Sequence, residues 1–122
     1  MGIDVGHRDE GFIEMLFPAT VEVDAIYEAV AEARALSEQH ACRRFLVDTR
    51  ALAQTGDSFD ILQLAEFLSS LPPRSIEREA ILPPLTAGPA QDFAFFETAA
   101  RNRGLNVRLF DSRESAVAWL TG

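Results

Sequence analysis

Residues 43–49 read Arg43-Arg44-Phe45-Leu46-Val47-Asp48-Thr49. A short, unbroken apolar run bounded by polar residues suits a central strand of a parallel sheet, buried on both faces. Upstream, residues 21–39 place Val23, Ile26, Tyr27, Val30 and Ala33 at helical spacing, with Glu22, Glu28, Glu32 and Glu38 toward water. That pattern predicts a helix, with Thr20 as its N-cap. Alternatively, residues 20–23 (Thr-Val-Glu-Val) prolong the preceding strand. Residues 11–17 read as that strand, pairing as a hairpin with residues 3–5 across the polar residues 6–10. Pro18 ends it.

Downstream, residues 51–57 form a loop hinged at Gly56, and Asp57 or Ser58 caps a second helix. Its apolar stripe is Phe59, Leu62, Ala65 and Leu68 or Leu71, and Pro72-Pro73 stops it. Residues 79–82 make a short strand ended by Pro83-Pro84. Gly88-Pro89 opens a third helix, which carries Phe93, Phe96, Ala99 and Ala100 and stops at Gly104. Residues 105–110 form the last strand. Asp111-Ser112-Arg113-Glu114 resembles a capping box, and Ala116, Val117, Trp119 and Leu120 form the last helix's buried face. The order β(β)αβαβαβα predicts one α/β domain over residues 1–122. It has a mostly parallel sheet of four or five strands with about four helices, the opening hairpin supplying an antiparallel edge strand.

Composition narrows the function classes. The chain has 122 residues, 48% hydrophobic and 25% charged, a globular profile able to form a core without disulfides or metal. Its net charge of -8 disfavours nucleic-acid binding and polybasic membrane docking. All 11 basic residues are Arg, so no lysine exists for a Schiff base, a P-loop or general-base chemistry. Cys42 stands alone, and His7 and His40 have no metal-ligand spacing. No metal site and no cofactor are expected. The start shows no basic region and no long apolar run, which leads to the expectation of a cytoplasmic protein with no signal peptide and no membrane span.

Several residues invite a functional reading. Asp48 closes the central strand, and ligands of open α/β sheets bind beyond strand ends. With Arg50 it makes either a contact site or a structural brace. Ser58 stands at a helix start, where the helix dipole would favour a phosphate; it also serves as an ordinary cap. Phe93 and Phe96 share a helix face that suits core, whereas Phe95 points about 100° away. Phe95 either lines a ligand pocket or subunit contact, or marks a widely buried helix. The apolar loop 83–89, with Leu85, is a candidate pocket rim. Glu77 and Glu79, separated by Arg78, read as solvated charges flanking a strand and not as an acid–base pair. No Gly-x-Ser-x-Gly elbow and no triad base is present. A receiver-domain reading fails because its strand-end lysine is missing. No catalytic residues are expected.

Residues 110–120, Phe-Asp-Ser-Arg-Glu-Ser-Ala-Val-Ala-Trp-Leu, resemble the ending of SpoIIAA-like proteins: a last strand closing in Phe, an acidic cap, then Ala-x-x-Trp-Leu. The Phe45-Leu46-Val47-Asp48 strand is similar to that family's central strand, and the element order matches from about Gly11 to Leu120. The family belongs to the STAS (sulfate transporter and anti-sigma antagonist) clan and is also grouped with the Sec14-type fold. The resemblance implies a non-enzymatic binding or regulatory domain acting on a protein partner. Relatives of that kind are switched by phosphorylation of a serine at the start of the second helix, near Asp57-Ser58. The usual pattern there is Asp-Ser-Ser-Gly; this chain reads Asp57-Ser58-Phe59-Asp60. The Sec14-type likeness implies the alternative, a carrier or sensor of a small apolar ligand or lipid near Phe93, Phe95, Phe96 and Leu85. A homodimer through the edge strand or the third-helix aromatics is a further expectation.

Overall fold

The computed structural model describes residues 2–55 and 60–122. Its elements run β1 (Asp4–Arg8), β2 (Phe12–Leu16), β3 (Thr20–Val21), α1 (Val23–His40), β4 (Arg44–Asp48) and β5 (Gln54–Thr55). They continue with α2 (Ile61–Ser69), β6 (Arg78–Leu82), α3 (Ala87–Asn102), β7 (Val107–Leu109) and α4 (Arg113–Thr121). The main sheet has five strands in the order β1-β2-β4-β6-β7. Its β1–β2 hairpin is antiparallel; β2, β4, β6 and β7 run parallel. The expected α/β fold, its antiparallel edge strand and its central β4 are therefore present. The hairpin turn is tighter than expected, because β1 extends to Arg8 and Gly11 supplies the positive φ of 108° that the short turn requires.

Strand alternation sends the core to two sides. Ile13, Met15, Phe45, Val47, Ile81 and Val107 face a large cluster built with α1, α2 and α3. Phe12, Leu46, Ala80 and Leu82 face the other way, onto Ala116 and Leu120 of α4. Three helices thus cover one face and one covers the other, which explains why the central strands read as continuous apolar runs. α2 packs on α3, while α1 packs on β1 and β2. Tyr27 of α1 and Phe67 of α2 meet edge to face at 5.0 Å, bridging those two groups of helices.

Cap positions differ from the expected ones by one to three residues. Glu22, not Thr20, is the N-cap of α1, since residues 20–21 join β5 in a small two-stranded sheet. Asp60, not Asp57 or Ser58, caps α2: its carboxylate accepts from the Leu62 and Gln63 amides at 3.0 and 3.2 Å. The buried stripe of α2 is Ile61, Leu64, Ala65 and Leu68, which shares Ala65 and Leu68 with the expected one but leaves Leu62 exposed. Thr86 is the N-cap of α3, which puts Pro89 at its third position. Ser112 caps α4 by accepting from the Ser115 amide. Arg44 and Arg78, both at the start of their strands, donate to the Leu120 and Trp119 carbonyls at the end of α4. Two guanidinium groups there complement the negative end of the helix dipole.

Candidate functional site

Asp48 and Arg50 lie where β4 ends. Asp48 is 5% exposed, and its carboxylate accepts from Arg50 Nε at 3.1 Å, Arg50 Nη2 at 2.9 Å and the Arg50 amide at 3.1 Å. Burial pushes the Asp48 pKa upward, but the hydrogen bonds and charge of Arg50 outweigh it and hold the carboxyl below its usual range. Next to it Thr49 is fully buried, and its hydroxyl donates to the Leu82 carbonyl at 2.7 Å. The acid is thus occupied in bracing the strand-end turn. Gly56, Asp57, Ser58 and Phe59 lie outside the described residues.

The remaining acids of the sheet separate by their partners. Glu14 sits on β2 between two cations, accepting from Arg8 at 2.9 Å and Arg113 at 3.1 Å. Glu77 is solvated as expected and pairs with Arg44 at 3.3 Å; that hydrogen bond and charge lower its pKa. Glu79 is not solvated. It is the second residue of β6, in register with Phe45 of β4 and Val107 of β7, and is 7% exposed. Burial alone pushes its carboxyl up to about 7. The signal lay in the alternation: Glu79 is two residues from Ile81, so it shares that residue's face.

That face holds a cavity of about 60 Å³. Its walls are apolar side chains of β2, α1, β4, α2 and α3, including Met15, Phe17, Val47, Leu64, Phe93 and Phe96, and Arg34 stands exposed at its rim. Among the described residues, Glu79 and Arg34 are the charged groups that line it. Of the expected aromatic set, Phe93 and Phe96 are buried and form the cavity wall, 6.2 Å apart. Phe95 and Leu85 do not reach it; they are 51% and 84% exposed. The helix is not buried widely enough to cover Phe95.

Elsewhere on the surface, His7 of β1 and His40 of α1 stack with ring centroids 3.9 Å apart. Cys42 is nearby in sequence, and its thiol donates to the Gly11 and Arg44 carbonyls. Among the described residues no group of three or more His, Cys, Asp or Glu is arranged to hold a metal ion. No helix among them is long and apolar enough to cross a membrane.

No protein-family model and no curated protein matches the sequence. Among solved structures, the chain is similar to an uncharacterised protein of the DUF3478 family from Shewanella loihica PV-4, described as having a SpoIIAA-like fold. The TM-score is 0.62 at 18% identity, over 98% of this chain and 94% of the other. Parallel sheet, edge hairpin and helix placement together therefore give this chain the SpoIIAA-like fold.

Proposed function

We propose that this STAS-type domain works by binding rather than catalysis, in the cytoplasm, and that its ligand is a small apolar molecule. The observation that carries this reading is the apolar cavity under α1, α2 and α3, which opens beside Arg34. Cores of this size are normally close-packed, and each void forfeits contacts. A void retained between α1 and the α2–α3 pair suits a binding site. As it stands it is smaller than the ~150 Å³ engineered cavity that admits benzene, so a ligand is a short chain, or enters as α1 yields. Native mass spectrometry of the purified protein is the test, with n-hexanol added to a second sample. The expected result is a bound mass in one or both samples that Val30→Phe, which fills the cavity from its rim, removes. Spectra at the bare chain mass in both samples overturn the reading.

A second reading, a protein partner or a second copy of the chain, draws on the exposed Leu85 and Phe95, which lie just before and within α3. Asp48, Arg50, Asp57 and Ser58 would then lie on a phospho-switched contact surface. Ser58→Asp should change complex formation in a pull-down while the fold stays intact; unchanged binding counts against the switch.

A further inference from the structure

The cavity is lined by one acid to which no group among the described residues donates a hydrogen bond, and its carboxyl oxygens are not sealed inside packed protein. Glu79 is more than nine-tenths buried, and no hydrogen bond or opposite charge contributes to its raised pKa. The guanidinium of Arg34 remains at the rim and does not pair with it. Apolar side chains make up the rest of the wall apart from Ser75. A mostly buried carboxyl whose oxygens still open onto an apolar cavity is within reach of a donor that enters it.

Three head groups could meet it. A carboxylate would set two acids side by side in a low-dielectric space, where like charges repel strongly. A hydroxyl would supply one neutral hydrogen bond. An ammonium would turn a lone buried carboxylate into a charge-assisted pair, with the desolvation of Glu79 already borne by the fold. Position favours the same choice. Glu79, Phe45 and Ile76 belong to the end where the parallel strands begin, next to the opening at Arg34. Phe17 and Phe93 belong to the end where the strands finish. A head group at Glu79 therefore leaves the inner, wholly apolar end for a hydrocarbon tail.

Resting on the reading of the cavity as a ligand site, we propose that it takes a short apolar amine, whose ammonium donates to the Glu79 carboxylate while its tail lies toward Phe17 and Phe93. The pair needs an ionised Glu79, so binding strengthens as pH rises from 6 to 8. Among the described residues of the packed elements, Arg34 of α1 brings the one other charge to the cavity; β2, β4, α2 and α3 contribute apolar groups.

Calorimetric titration with n-hexylamine, n-hexanol and hexanoate separates the outcomes. In the native chain at pH 8, hexylamine should bind about tenfold tighter than hexanol, the ratio expected of a charge-assisted over a neutral hydrogen bond. The advantage should shrink at pH 6. Glu79→Gln should abolish it while hexanol still binds, which shows that the cavity survives. Equal binding of amine and alcohol, tighter binding of hexanoate, or an amine preference that persists in Glu79→Gln each overturns the amine inference and leaves the cavity reading standing. If none of the three ligands binds, both fall.

Discussion

Replacing Glu79 with glutamine keeps the side chain's shape and removes its proton equilibrium. In the folded chain burial raises this carboxyl from 4.5 to about 7. At about 1.4 kcal/mol per pKa unit, the shift corresponds to about 3 kcal/mol. Between these two values the folded chain keeps a proton that the unfolded chain has released. Unfolding free energy therefore falls as pH rises through that interval and levels off above it. The neutral amide of the variant cannot titrate, so the variant escapes this loss. The difference between variant and native chain should be near zero at pH 4 and approach about 3 kcal/mol in the variant's favour at pH 8. Urea unfolding, followed by Trp119 fluorescence at several pH values, measures it. All other titrations occur in both chains and cancel. A stability difference that stays constant from pH 4 to pH 8 would refute the claim that Glu79 is ionised against a desolvation penalty.

Asp48→Asn should cost about 1–2 kcal/mol at neutral pH, because the buried carboxylate loses the charge that pairs with Arg50. Asp48 is held below its usual 3.8, so its contribution is present above that value and disappears only as pH falls through the lower folded value. Convergence of the two chains already at pH 5 would contradict the pairing. Ala41 ends α1 with φ 50° and ψ 45°, a left-handed cap. Ala41→Gly should raise stability by about 0.5 kcal/mol, the strain relieved less the added unfolded-state freedom, visible as a higher denaturation midpoint. Arg78 donates to the Trp119 and Gly122 carbonyls and lies 5.6 Å from the Trp119 ring. Arg78→Met should weaken α4 by about 1–2 kcal/mol, with hydrogen exchange in residues 114–121 rising more than in α1; a uniform rise would place its role elsewhere.

Hydrophobic period carried most of the architecture. The run Phe45-Leu46-Val47 identified β4 because a strand covered on both faces needs no polar alternation. The spacing of Ile26, Val30 and Ala33 identified α1, and Phe93 and Phe96 the buried side of α3, because helix geometry alone puts such residues on one stripe. Boundaries were less legible. Several polar residues before α2 can each accept an amide proton, and only the packing of Ile61 and Leu64 selected Asp60 as the cap. The site was the least legible. Asp48 and Arg50 are legible as strand-end charges, yet their mutual pairing is a matter of turn geometry. Phe95 and Leu85 are legible as apolar residues, yet they are exposed, while the cavity is formed by residues scattered from Met15 to Phe96. By itself, then, the sequence determined the order of the main sheet's strands and the four helices and most of the faces they bury, since those follow from local periodicity. It did not determine β5, which lies in the stretch 51–57 that reads as a loop and forms only by pairing with β3. Whether the helices close over the sheet without a gap, and whether Glu79 meets water or hydrocarbon, depends on distances between elements remote in the chain. Only the tertiary structure decided that.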